Sequence, residues 1–196
     1  MRLLLTIIVM SLSMAATAQK HEDTERLGMA LEYFTAGKYH ESLLLFQKLD
    51  KSYRLNDRFK AYIGLCYYHE WDFEKAAEYL DKALPNLSAL SPQERNVYYY
   101  ADAESHFNMG DYENAIPLYE ESLVLCKPAE RADALYRLGF CYMFREDWGA
   151  AHEYFSSSLA YYESYRNVPD IEARRKQIIH MVDGCEKEIE KTKREK

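Results

Sequence analysis

Four short turn signatures recur along this 196-residue chain, and they restrict its architecture more than any other feature: Gly37-Lys38-Tyr39, Trp71-Asp72-Phe73, Gly110-Asp111-Tyr112 and Glu146-Asp147-Trp148. Their aromatic residues are 34, 39 and 36 positions apart. Three residues beyond each aromatic stands a small residue, Ser42, Ala76, Ala115 or Ala151, and four further on a large one, Phe46, Leu80, Tyr119 or Phe155. Three further still come Leu49, Ala83, Ser122 and Ser158. Upstream, Tyr33, Tyr67, His106 and Tyr142 precede the turn aromatics by six residues, and Ala30, Gly64, Ala103 and Gly139 by nine. A self-similar period of this length marks an array of supersecondary units rather than a single irregular core.

Steps of three and four place these residues along one stripe of a helix, so each unit reads as two antiparallel helices joined by a tight turn. A small residue on one helix then admits a bulky residue of its neighbour. Gly37 and Gly110 suit the left-handed conformation that ends a helix. Trp71 and Glu146 stand at that place in the second and fourth units, which are expected to turn differently. Ser91-Pro92-Gln93-Glu94 supplies an N-cap serine, a proline at the first helical position and a glutamate three residues after the cap. Pro128 opens the fourth unit in the same way, and 85–90 form a widened link that explains the longest interval.

Composition agrees with helices. The chain is 48% hydrophobic and 29% charged, with 18 Tyr but only 7 Gly and 5 Pro, too apolar for disorder and too poorly punctuated for an all-β fold. A formal charge of −7 disfavours nucleic acid as a partner. Cys66, Cys126, Cys141 and Cys185 are widely spaced. A disulfide framework has three possible connectivities, but Cys66 and Cys141 sit in apolar helical stretches where cysteine acts as a small buried hydrophobe, so free packed thiols are expected.

Arg2, the apolar run from Leu3 to Met10 and Ala16-Thr17-Ala18 form a basic start, an apolar stretch and an A-x-A cleavage pattern. Residues 1–18 therefore read as a cleaved export leader with Gln19 the first mature residue. This implies a periplasmic or secreted location and no transmembrane span in the mature chain. At the other end, Pro169-Asp170-Ile171-Glu172 begins a helix with an apolar stripe of Ile178, Val182, Cys185 and Ile189. It is expected to cap the fourth unit, with a charged tail, rather than to form a coiled-coil dimer.

The pattern resembles the tetratricopeptide repeat (TPR), carried most clearly by Ile63-Gly64-Leu65-Cys66-Tyr67 with Ala76, Ala83 and Pro85, and by Leu138-Gly139-Phe140-Cys141-Tyr142 with Ala151 and Phe155. The resemblance covers residues 19–166 as four units, at about 23–55, 57–90, 92–127 and 128–162. It implies an all-α, right-handed α-solenoid of four TPR-like helical hairpins, followed by the capping helix at 167–196. It also implies a concave groove lined by the first helices. Carried over unit by unit, the lining residues are Leu27, Leu31 and Phe34, then Leu65 and Tyr68, then Tyr100, Glu104 and Phe107, and finally Tyr136, Phe140, Met143 and Phe144. Such a groove is aromatic and mostly uncharged.

The expected function is a non-catalytic protein–protein interaction scaffold that binds a peptide or partner helix in this groove, in the periplasm or cell envelope. Alternatives are an accessory or regulatory subunit of an envelope enzyme complex and a homodimer that uses the groove for self-association. The family's carboxylate-clamp pattern is not matched, because Leu65 stands where Asn is expected and Arg58 is the one basic candidate. No HExxH, GxSxG, P-loop or GxGxxG motif is present. No catalytic residue, cofactor or metal site is therefore expected, and His106, at a position that carries Tyr in the other units, reads as a packed, hydrogen-bonded histidine.

Overall fold

The structure is a computed structural model that describes residues 2–164 and 171–195, with side chains from Gln19 onward. The side chains of the expected leader, 1–18, and the expected helix start at Pro169-Asp170 lie outside the described residues. In chain order the helices are α1 (Arg2–Thr35), α2 (Tyr39–Ser52), α3 (Asp57–His69), α4 (Phe73–Ala83), α5 (Pro92–Asn108), α6 (Tyr112–Leu125), α7 (Arg131–Phe144), α8 (Trp148–Ser164) and α9 (Ile171–Arg194). Short 3-10 turns at Leu84–Asn86 and Pro128–Glu130 lie in the links before α5 and α7. The helices pair as α1/α2, α3/α4, α5/α6 and α7/α8, each pair packs on the next, and α9 lies against α8. The chain is an all-α solenoid of helical hairpins with a C-terminal capping helix. No helix among the described residues is long and apolar enough to cross a membrane.

Each hairpin closes on the small-against-large contact that the spacing implies. A Cβ built on Gly64 would lie 2.6 Å from Cγ of Leu80, and one on Gly139 would lie 2.5 Å from Cδ1 of Phe155. Both large side chains are fully buried, so the glycines set how closely α3 meets α4 and α7 meets α8. Buried serines in the outer helices are satisfied across the hairpin: Ser42 Oγ donates to the Ala30 carbonyl and Ser158 Oγ to that of Ala132, each at 2.8 Å.

The turns differ from the sequence expectation in one respect. All four adopt the same geometry: the backbone N–H of Lys38, Asp72, Asp111 and Asp147 donates to the carbonyl of Tyr33, Tyr67, His106 and Tyr142, at 2.8–3.0 Å. Gly37 and Gly110 have φ of 72° and 77°, and Trp71 and Glu146 follow them at 64° and 61°. The bond back to the preceding helix holds two non-glycine residues in a conformation that L side chains rarely adopt. N-caps then start the next helices, with Asn56, Ser91, Asp72, Asp111 and Asp147 side chains accepting from backbone N–H groups three residues on.

The capping helix inserts Ile178 and Cys185 among Ala132, Tyr136, Phe155 and Tyr162, while Val182 and Ile189 are half-buried at its flank. All four cysteines are free thiols. Cys66, Cys141 and Cys185 are buried and Cys126 is half-buried. Burial pushes the Cys66 and Cys141 thiols up to about 12.

Exchanging glycine in opposite directions at two sites tests this account. Gly139→Ala is expected to lower stability by about 1–2 kcal/mol, because displacing the Phe155 ring outweighs the gain of about 1 kcal/mol in helix propensity. Glu146→Gly is expected to raise it by about 0.5–1 kcal/mol by relieving the left-handed backbone. Urea denaturation of the two variants should therefore give midpoints on opposite sides of the parent's.

Candidate functional site

The first helices α3, α5 and α7 bring side chains together to line shared cavities. Tyr68 and His69 end α3. Tyr100, Glu104, Phe107 and Asn108 descend α5, and Arg137, Phe140 and Phe144 descend α7. Two cavities open here. One of about 380 Å³ is walled by Leu65, Tyr68 and His69 on one side and by Asn96, Val97 and Tyr100 on the other. A second, of about 280 Å³, lies between Tyr68, His69, Trp71 and Phe73 and the polar group Glu104, Asn108 and Arg137. Tyr68 and His69 wall both.

The floor of the second cavity is charged, contrary to the expectation of a mostly uncharged groove. Arg137 grips the Glu104 carboxylate with two nitrogens, Nε to Oε1 at 2.6 Å and Nη2 to Oε2 at 2.7 Å. Tyr119 donates its hydroxyl to Glu104 Oε1 at 2.5 Å, and Asn108 Nδ2 donates to the Glu104 backbone carbonyl at 2.6 Å. Glu104 is buried and the Arg137 side chain is about one-third exposed, 32%, with its guanidinium 4.9 Å from the centre of the Phe107 ring. Burial opposes the charge on Arg137, but the adjacent Glu104 carboxylate and the Tyr119 and Tyr100 hydroxyls outweigh it and hold the pKa above its ordinary value. Burial also raises the Tyr68 and Tyr100 hydroxyls and lowers His69, so these walls are neutral.

The groove residues expected from the sequence separate into groups. Leu27, Leu31 and Phe34 are half-buried in the first hydrophobic cluster, with Phe34 4.6 Å from the Tyr62 ring. Leu65, at 5% exposure, and Tyr136, at 4%, belong largely to the core. Tyr136 is covered by Arg174 of α9, whose guanidinium lies 4.5 Å from the ring centre. Tyr68, Tyr100, Phe107, Phe140 and Met143 are half-buried, and Phe144 is 51% exposed and stacked on Tyr112 at 4.9 Å. Arg58 is held by Glu94 through two hydrogen bonds of 2.8 and 3.1 Å, so it is engaged within the fold.

Two groove residues escape a reading of repeat positions alone. Arg137 sits on α7 one residue past Tyr136, and only the approach of α5 brings Glu104 to it. Trp71 reads in sequence as a turn residue, yet it stands 77% exposed beside the second cavity, with a left-handed backbone and its ring 5.9 Å from that of Phe73. A large exposed indole in a strained conformation is the one local signal that marks this rim.

Comparison with known proteins supports the architecture. Family models described as tetratricopeptide repeat match residues 27–94 and 94–164. No curated protein sequence matches the chain. Among solved structures, a MamA protein is 19% identical, covers 88% of this chain and 94% of its own, and superposes with a TM-score of 0.57. MamA residues 41 to the end from Desulfovibrio magneticus RS-1 are 15% identical over 86% of this chain and 96% of that one, with a TM-score of 0.58. A set of nearly identical TPR-like repeats from Podosopora anserina is 14% identical over 87% and 96%, with a TM-score of 0.53. At these identities the likeness is one of fold.

The charged floor makes a direct prediction. Arg137→Met leaves the buried Glu104 carboxylate without its guanidinium and should cost about 2–3 kcal/mol, reduced from the full value of a buried pair by the partial exposure of Arg137. Adding Glu104→Gln should recover most of that loss. A double-mutant cycle by chemical denaturation measures the coupling, and additive losses would mean that the pair does not hold α5 to α7.

Proposed function

Since the chain belongs to the tetratricopeptide repeat family, which binds protein partners, we propose that it is a non-catalytic scaffold that captures a peptide or partner helix against α3, α5 and α7. The observation that carries this reading is the exposed, left-handed Trp71 beside the 280 Å³ cavity. Next to it, Tyr68 and Phe107 offer half-buried aromatic surface, and Asn108, Glu104 and Arg137 offer directional polar groups. Interfaces that bind peptides place aromatic and arginine anchors at the centre of such a patch.

The covering of Tyr136 by Arg174 supports placing the partner at the second and third units rather than along the whole groove. Among the described residues, the capping helix covers that end of the fourth unit. The leader pattern at residues 1–18 supports export, so the partner is sought in the periplasm, the cell envelope or the medium.

A photo-crosslinking amino acid placed at Val97, on the rim of the larger cavity, tests the assignment in the native host. Crosslinks to a partner are expected from Val97 and not from Leu44 on α2, which serves as the exposed control outside the cavities. Trp71→Ser combined with Tyr68→Ser should weaken them about tenfold or more while circular dichroism stays unchanged. Equal crosslinking from both positions, or indifference to the double substitution, would overturn the groove assignment. A crosslinked product of twice the chain's own mass would replace partner capture with self-association.

A further inference from the structure

Away from the groove, the contact between the second and third units gathers Asp81 of α4 with Asp102 and His106 of α5. One oxygen of each carboxylate and a ring nitrogen of His106 all lie within 4.8 Å of one another. Asp102 is fully buried, at 0% exposure, and neither of its carboxylate oxygens has a hydrogen-bond partner among the described residues. Its Oδ1 faces His106 Nε2 at 3.9 Å, and Asp81 Oδ1 faces the same nitrogen at 3.4 Å. A buried carboxylate with no donor is costly unless something compensates its charge.

The repeat itself shows how unusual this is. Ten residues before the turn aromatic, the other units carry Met29, Ile63 and Leu138, all apolar, and Ile63 and Leu138 are fully buried. Only the third unit places a carboxylate there. Six residues before the turn it also replaces Tyr33, Tyr67 and Tyr142 with His106. At the equivalent contact between the first and second units, Gln47 Nε2 donates to the Tyr67 hydroxyl at 2.8 Å, an ordinary neutral hydrogen bond in the place where Asp81 meets His106. The packing therefore does not require a carboxylate at the position of Asp102 or an imidazole at that of His106.

From this geometry we propose that Asp81, Asp102 and His106 bind a divalent transition-metal ion, of which zinc is the representative. Imidazole with two carboxylates is a donor set suited to such ions rather than to magnesium or calcium. Ligand bonds of about 2.0–2.1 Å in a tetrahedron separate the ligand atoms by about 3.4 Å, so the spacings observed need only small side-chain adjustment. The other ring nitrogen, Nδ1, lies 3.0 Å from Asp111 Oδ2. Donating its hydrogen there leaves Nε2 with the lone pair that a metal needs, the usual support for a histidine ligand. Two carboxylates neutralise a dication, and the exposed Asp81 gives the ion a route from solvent on the side of the second helices. Three protein ligands leave a coordination position for water.

Without a metal, protons are the available counter-charge: burial pushes the Asp102 carboxyl up to about 8, and hydrogen bonding to Asp81 and Asp111 raises His106 to about 9. A cluster that serves only to hold protons is the competing account. The experiment is calorimetric titration of the full mature chain with zinc ions alone, paired with thermal melts. One zinc per chain and a raised melting temperature are expected. Asp81→Asn, at an exposed position that leaves the fold intact, should weaken binding at least tenfold, and Asp111→Asn about 10- to 100-fold through the orientation of His106. Asp102→Leu, which installs the residue found at the same place in the fourth unit, should abolish binding while raising the melting temperature of the metal-free chain. No stoichiometric binding by the parent would overturn the proposal. So would binding that survives both Asp81→Asn and Asp102→Leu, which would assign the zinc to exposed histidines such as His21, His40 or His180.

Discussion

Two helices of one hairpin approach only as far as the side chains between them permit, and in the second and fourth hairpins the limit is set by a missing Cβ, while Ala30 and Ala103 hold that place in the first and third. Gly64 against Leu80 and Gly139 against Phe155 bring backbones to a separation at which a methyl group would enter a neighbouring side chain. Because a small buried residue stands at this contact in every hairpin, the outer faces are presented to the next hairpin in a repeatable way. One consequence is the alignment of α3, α5 and α7 along a shared surface. Another is that a residue eight past a turn aromatic meets the residue six before the next, whether as Gln47 with Tyr67 or as Asp81 with His106.

Polar chemistry inside the stack is concentrated around α5. On one side Glu104 is fully engaged by Arg137 and Tyr119, so its charge is matched and its geometry is fixed. On the other side Asp102 is equally enclosed but without a donor. The two acids are two residues apart and point to different helices, one towards α7 and the other towards α4. The third unit thus carries most of the buried charge of the solenoid, although Asp23 in the first unit is also buried and held by Arg26 and Tyr53.

The hairpin architecture was legible in sequence because its signal is local and repeated: the small and large positions, the turns and the proline-led helix starts recur within each unit. The turns were only half legible. Trp71 and Glu146 do not look like left-handed residues, and the local bond from the following N–H to the carbonyl five residues back overrides their preference. Leu65, Tyr68, Tyr100 and Phe107 follow from repeat register, but exposure does not, since Tyr136 is covered by Arg174 from a helix outside the repeats. Arg137 with Glu104 joins α7 to α5, and Asp81 with His106 joins α4 to α5. Pairs of that kind depend on how one unit sits on the next, which no single unit encodes, although Asp102 and His106 four residues apart on one helix were a visible hint.

The thiols carry a consequence for how the chain matures. With Cys66 and Cys141 pushed up to about 12, the reactive thiolate amounts to roughly 10⁻⁵ of each at neutral pH. Both sit at the interior face of a first helix, where an incoming disulfide has no approach. For these two thiols, disulfide exchange is therefore confined to the unfolded chain, whereas Cys126 is half-buried. Closure of the second and fourth hairpins is what takes these two sulfurs out of reach of an oxidant.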